Sequence, residues 1–331
     1  MMVTGQLMRI AVLDDYQGVA TDVADWSSLD GDLTVFRHHL GDADAVVDAL
    51  ADFDVVVAMR ERTAFPRAVL SALPQLRLLV TTGMRNAAID LTAADEFGIV
   101  VCGTDLLVAP TAELTWALIL GLVRDVASDD AVIRGGGWQT SVPGDLEGAT
   151  LGVVGLGRLG QRVTAVARAF GMHVIAWSPH LTEQRAAAAG AEFVTKAELF
   201  ERADIVTIHM PLVEETRGLI GVDDLRRMPR TAYLVNTSRG PIIDDDALLQ
   251  AIAERWIAGL GVDVYEIEPL PADHWMRQPD APGGTRVLRS PHMGYVTARN
   301  LALFYRDAVE DIAAFAAGAP VRLLTAGAKA S

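Results

Sequence analysis

This 331-residue sequence predicts an α/β protein of two doubly wound domains, one inserted into the other. Three observations predict it. Short apolar runs alternate with helical patterns through the opening third, as in a parallel sheet covered by helices. A second series of the same kind begins near the middle of the chain, opened by Gly155-Leu156-Gly157-Arg158-Leu159-Gly160. One helical pattern is left at the end, from Tyr295 to about Ala317; it is too little for a third domain, so it is expected to return to the first.

In chain order, the first series has strand candidates at 10–13, 55–58, 76–80 and 99–101, with helices expected at 43–51, 66–72 and 91–97. Short continuous apolar runs suit strands buried on both faces. A longer helix is expected after Pro110-Thr111-Ala112-Glu113, running to about Ser128 and placed to bridge two domains. Its apolar stretch from Leu114 to Val123 is too short to span a bilayer and reads as a buried or subunit-interface helix. Gly135-Gly136-Gly137-Trp138 with Pro143-Gly144 forms a loop. The second series has strands at 150–154, 173–177, 205–209, 232–236 and 259–262. Helices are expected between them at 159–170, 183–189, 196–202, 223–227 and 245–255, and 269–284 is a loop. The domains are therefore 1–107 with 294–331, and 108–293.

Composition bounds the function. With 51% hydrophobic and 21% charged residues the chain is globular rather than disordered. A net charge of −15 disfavours nucleic acid and anionic membrane surfaces as partners. The single cysteine, Cys102, excludes an internal disulfide and fits the reducing cytoplasm. It follows an apolar run and reads as a buried structural thiol. The N-terminus lacks the basic region and apolar core of a signal peptide. His38 and His39 are adjacent, and no histidine, cysteine or carboxylate spacing suggests a metal site.

The glycine cluster is the first chemical signal. A strand feeding a Gly-x-Gly-x-x-Gly turn and then a helix grips a dinucleotide pyrophosphate. The first glycine permits the turn, the second lets the backbone approach the phosphates, and the third lets helix and strand pack closely. The helix N-terminus then faces the anion. An acid usually ends the next strand and binds the adenosine ribose. Here that strand ends in Ser178-Pro179-His180, so the usual bar to a 2′-phosphate is missing. Ser178 suits a ribose hydroxyl, a phosphate, or a turn that ignores the cofactor, while Arg158 and His180 add positive charge. NAD and NADP both remain open.

Three later segments end strands of the same series: Asn236-Thr237-Ser238-Arg239-Gly240, Asp263 through Glu268-Pro269, and Ser290-Pro291-His292-Met293-Gly294. A guanidinium, a carboxylate and an imidazole thus emerge at strand carboxyl ends, where open α/β sheets bind ligands. With 152–160 and His209-Met210-Pro211-Leu212, these segments resemble the D-isomer-specific 2-hydroxyacid dehydrogenases over nearly the whole chain. The resemblance implies a Rossmann dinucleotide-binding domain inserted into a flavodoxin-like substrate domain, and a homodimer. It implies that Arg239 holds the substrate carboxylate, that His292 is the acid/base, and that Glu268 is its partner. The cofactor would be held by Gly155, Gly157, Arg158, Leu159, Gly160, Ser178, His209, Pro211, Thr237, Ser238, Arg239, Asp263, His292 and Gly294. Asp263 and the backbone at Thr237 and Ser238 would place the nicotinamide ring.

The implied chemistry is physically coherent. Reducing a 2-keto acid takes a hydride at carbon, from NAD(P)H, and a proton at oxygen. A protonated His292 can deliver that proton, and oxidation of a D-2-hydroxy acid uses the same ring as base. Glu268 steadies the charged ring and fixes its orientation. Arg239 can clamp the carboxylate through two hydrogen bonds. In the first domain, Gly83 with Met84 and Arg85 matches the loop that supplies substrate-binding amides, and Arg60 matches a substrate-facing position. Met84 and Arg85 make that loop bulkier and more basic than the family pattern. Trp275 and Met276 fit either a cap on the site or packing. Two alternatives stay open. One is an NAD(H)-sensing interaction protein of the corepressor type, which can keep all three residues but is disfavoured by the absence of long tails. The other is a formate dehydrogenase-like enzyme, expected to carry an amide in place of Glu268.

Overall fold

The computed structural model describes residues 7–326; residues 1–6, part of the segment read for a signal sequence, lie outside them. The chain divides into a first unit, 7–107 with 297–326, and an inserted unit, Val108–Val296.

The first unit is built on five parallel strands: β1 (Met8–Val12), β2 (Gly31–Val35), β3 (Val55–Ala58), β4 (Leu78–Thr81) and β5 (Val100–Gly103). Their order is β2-β1-β3-β4-β5, the flavodoxin-like arrangement. Every residue of β3 and β4 is buried, because both faces of a parallel sheet are covered by its crossover helices. Leu50, Phe65, Leu70 and Leu79 lie at the centre of the core. Strand β2 has no apolar run to announce it: Gly-Asp-Leu-Thr-Val lies at the sheet edge with alternating exposure. The helix Ala298–Ala316 completes the unit, with Phe304, Tyr305, Ala308 and Ile312 buried and Tyr305 edge-on to Trp26 at 6.2 Å. Past that helix, Gly103 N donates to Arg322 O (2.9 Å) and Leu324 N to Val101 O (2.8 Å). Leu323 thereby bridges Cys102 antiparallel and covers the otherwise open edge of β5. Cys102 is fully buried, which pushes its thiol up to about 12 and leaves it a packing residue.

Arg322 anchors this closure, donating to Asp311 Oδ1 at 3.0 Å and to the Asp307 carbonyl at 2.7 Å. Asp311 is fully buried and its Oδ2 has no hydrogen-bond partner. Burial outweighs Arg322 and lifts this carboxyl to about 7. A folded-state value above the unfolded one, near 3.9, stabilises the fold at low pH, and that contribution is lost as pH rises toward 7. Asp311→Asn is therefore expected to melt higher than wild type at pH 8, with the difference narrowing at pH 5. Thermal melts at both pH values check this, and a difference that does not change with pH would contradict it.

The inserted unit carries seven parallel strands: β6 (Thr150–Val154), β7 (His173–Trp177), β8 (Glu192–Phe193), β9 (Ile205–Ile208), β10 (Tyr233–Asn236), β11 (Gly259–Val262) and β12 (Arg286–Arg289). The order β12-β11-β10-β9-β6-β7-β8 reverses direction between β6 and β9, the switch point of a Rossmann sheet. Leu151, Val153, Val206, Leu234 and Leu260 are completely buried along the central strands. Each such side chain contributes roughly 1.5–3 kcal/mol through burial.

The helix expected to run to Ser128 ends earlier. It spans Ala109–Arg124, and a second helix, Val126–Arg134, follows at once. Asp125 separates them in the left-handed region at φ 53°. Its carboxylate takes a 2.6 Å bond from Arg286, whose other nitrogen donates to the Leu122 carbonyl. A guanidinium that satisfies the last carbonyls and pairs with the next acid stops the helix here. The helix Ala109–Arg124 packs against β10, β11 and β12 within its own unit. Among the described residues, no helix is long and apolar enough to cross a membrane.

Candidate active site

The glycine turn after β6 lies at the switch point of the inserted unit. Gly155 holds φ 99°, and a Cβ there would fall 2.7 Å from the His209 carbonyl oxygen. A Cβ on Gly160 would fall 2.2 Å from the Gly155 carbonyl oxygen, so the helix could not pack this close. At Gly157 a Cβ would meet nothing within 4 Å. Gly157 is also the N-cap of helix Arg158–Ala169, without a side-chain cap. Free helix amides and an open approach to the backbone fit a bound pyrophosphate. Leu159 is half-buried in this first turn, and Arg158 is exposed.

The end of β7 is joined to this turn: Gly155 N donates to Trp177 O at 2.9 Å. Ser178 follows and opens a turn closed by Leu181 N on its carbonyl (3.1 Å). After β9, the His209 ring lies buried with Nε2 3.0 Å from Thr207 Oγ1 and Nδ1 without a partner. Burial pushes its pKa down to about 3, so this histidine is neutral and does not exchange protons near neutral pH. Pro211 is exposed at the same strand end.

The next three strand ends build the chemical groups. Asn236 is buried; its Oδ1 accepts from Ser238 N (3.0 Å) and its Nδ2 donates to Arg239 O (2.9 Å). One amide side chain thus fixes the Thr237-Ser238-Arg239 turn. Ser238 Oγ bonds the Met210 carbonyl, and Thr237 Oγ1 meets Thr115 Oγ1 at 2.8 Å. The half-buried Arg239 donates from Nη1 to Ser238 O at 2.8 Å. Gly240 is demanded by contact, since a Cβ would fall 2.1 Å from the Tyr265 carbonyl carbon.

His292 follows β12 in an unusual conformation, φ 55°. Asp263, buried at the end of β11, holds it there: Oδ1 accepts from Met293 N (2.7 Å) and Oδ2 from Gly294 N (2.8 Å). Burial raises the Asp263 carboxyl, while the amides and Ser290 oppose that shift. Tyr265 adds a third tie, its hydroxyl donating to Ser290 O at 2.9 Å. The imidazole Nδ1 then lies 2.5 Å from Glu268 Oε2, and Glu268 Oε1 accepts from Tyr265 N at 2.8 Å. Because Glu268 occupies Nδ1, Nε2 is the nitrogen left for a reacting oxygen. Tyr295 meets the same ring edge-on at 5.5 Å.

The expected cofactor and catalytic residues of the inserted unit thus cluster around the carboxyl ends of one sheet, and Glu268 and His292 touch. Met276 is buried in the core that also contains Ile243 and Leu248, and the partly buried Trp275 packs against that core. Three contributors were not anticipated. Thr111 and Thr115 tie their helix to Gly294 (3.1 Å) and Thr237, and Tyr265 braces both halves of the pair. Two threonines one helical turn apart on a largely apolar helix were the available signal. Among the described residues no cluster suited to a metal ion occurs.

In the first unit, Arg60 (φ 54°) folds onto its neighbouring loop, donating from Nη1 to Thr82 O at 2.8 Å. Gly83 has φ 91°, and a Cβ there would collide with that guanidinium at 2.0 Å. Met84 and Arg85 are exposed on the same loop.

The family model for the D-isomer specific 2-hydroxyacid dehydrogenase NAD binding domain matches residues 116–294. A glyoxylate reductase of Aeropyrum pernix is 38% identical over 260 residues, covering 76% of each chain. A D-3-phosphoglycerate dehydrogenase of Bacillus subtilis is 33% identical over 87% of this chain and 54% of its own longer one. Among solved structures, a putative D-3-phosphoglycerate dehydrogenase from Ralstonia solanacearum superposes with a TM-score of 0.87 at 32% identity, covering 96% of each chain.

Proposed function

This chain belongs to the D-isomer-specific 2-hydroxyacid dehydrogenases, and we propose that it reduces a small 2-keto acid with His292 as the proton donor. NAD or NADP is the cofactor of this oxidoreduction. When bound, the nicotinamide supplies the hydride that goes to the keto carbon. The glycine turn and the amides of helix Arg158–Ala169 hold the pyrophosphate, and the Thr237-Ser238 turn, fixed by Asn236, supports the ring end. Arg239 binds the substrate carboxylate through its planar fork, which sets the orientation of the keto carbon. His292 gives its Nε2 proton to the keto oxygen as the carbon–hydrogen bond forms, while Glu268 keeps the ring aligned through Nδ1. Oxidation of the hydroxy acid runs the same steps backward. The observation that carries this reading is the 2.5 Å Glu268–His292 contact on a turn clamped by Asp263. A scan of glyoxylate, hydroxypyruvate, pyruvate, a bulkier aryl keto acid and formate tests it through cofactor absorbance at 340 nm. Turnover of at least one 2-keto acid is expected. Formate oxidation alone, or no turnover at all, would overturn it.

The working form is a homodimer made through the segment after the helix Ala109–Arg124. Helix Val126–Arg134 contains no buried residue. It and the following loop expose Val126, Ile133, Trp138 (74%) and Val142 (98%), an apolar surface that a second copy would cover. Sedimentation analysis should return twice the chain mass for wild type and a shift toward monomer for Trp138→Asp with Val142→Asp. A monomeric wild type would contradict this assignment. The single buried thiol is compatible with the cytoplasm as the place of action.

A further inference from the structure

We infer that the adenosine end of the cofactor site is built for a 2′-phosphate, so that this enzyme takes NADP(H) in preference to NAD(H). The inference rests on the dinucleotide site assigned above and concerns the surface at the end of β7. In an NAD-selective Rossmann site a carboxylate ends this strand, accepts hydrogen bonds from the ribose hydroxyls, and repels a phosphate. Here the strand ends at Trp177, and the next residues are Ser178, Pro179 and His180. The first carboxylate comes only at Glu183, inside the first turn of helix Glu183–Ala188.

The structure adds what the sequence left open. Ser178 is half-buried directly beside the phosphate-gripping turn, because the Trp177 carbonyl accepts from Gly155 N at 2.9 Å. Its hydroxyl makes no hydrogen bond to another described residue. Arg185 folds back from its helix, and its Nη1 donates to the His180 carbonyl at 3.1 Å, which brings a guanidinium onto the Ser178–Leu181 turn. Arg158 stands exposed at the start of the helix after the glycine turn. Neither Arg158 nor Arg185 pairs with a carboxylate among the described residues. A hydroxyl donor and two guanidiniums without acid partners, in a chain of net charge −15, are what a dianionic phosphate needs. The acceptor that selects for a ribose 2′-hydroxyl and against a phosphate is a carboxylate, and this turn offers none.

Direct binding decides the matter without reference to turnover. Dissociation constants for NADPH and NADH, from the protein–nicotinamide fluorescence signal, are expected to favour NADPH by at least tenfold. 2′-AMP should displace NADPH at lower concentration than 5′-AMP does. In the variants Ser178→Asp and Arg185→Ala, the NADPH:NADH affinity ratio is expected to fall about tenfold. Arg185→Lys should recover part of that loss. Tighter binding of NADH by wild type, or a ratio unmoved in both variants, would overturn the NADP assignment and leave the dehydrogenase reading standing. Binding of neither cofactor would overturn both.

Discussion

His292→Gln is expected to lower kcat with a 2-keto acid by about 10²–10⁴-fold, the usual worth of a positioned proton donor, while the cofactor dissociation constant stays within a few-fold of wild type. Glutamine preserves bulk and polarity, but its amide is far too weak an acid to give up a proton. The clamp around the residue explains why so specific a loss should follow. Asp263 holds the backbone of Met293 and Gly294, and Tyr265 holds Ser290. The replaced side chain therefore remains on a fixed turn. Glu268 keeps its bond to Tyr265 N, so the carboxylate does not collapse into the site. Steady-state kinetics with parallel fluorescence titration measures both quantities. Undiminished kcat in the variant would show that the proton comes from elsewhere.

Arg239→Ala is expected to cost about 3 kcal/mol in kcat/KM, roughly a hundredfold, the scale of losing one partner of a buried charge pair. Most of that loss should appear in KM, since a guanidinium that held the substrate carboxylate would do so in ground and transition states alike. Arg239→Lys should recover only part of it, because one ammonium cannot match the planar fork. The Asn236 amide fixes the Arg239 backbone independently of its side chain, so the turn should survive both substitutions. Equal KM values across wild type, Lys and Ala forms would remove Arg239 from substrate binding.

Much of this was legible in the sequence because the central strands of both sheets are continuous apolar runs. Strands β6, β7 and β11 fall at 150–154, 173–177 and 259–262, where the runs lie. Buried parallel strands must be apolar on both faces, so composition alone betrays them. Two edge strands, β2 and β8, were not legible. Gly31–Val35 and Glu192–Phe193 are half-exposed, and nothing in their composition separates them from loop. The stop at Asp125 was hidden for a different reason: the capping group is Arg286, far away in sequence. The glycine turn was readable because Gly155 and Gly160 each answer a local steric demand and Gly157 leaves the backbone open to a ligand. The role of Asp263 was not, because its two amide partners lie a whole crossover away, after β12. The left-handed backbone of His292 had no sequence signature at all.

If Arg239, Glu268 and His292 act together on a 2-keto acid, the hydroxy acid formed has a single configuration. Chiral analysis of the product from pyruvate, or from whichever keto acid turns over fastest and gives a chiral product, reads that configuration. The expected product is the D-2-hydroxy acid alone, formed in a one-to-one ratio with oxidised cofactor. An L-isomer, a racemate, or cofactor oxidation without hydroxy acid would contradict it.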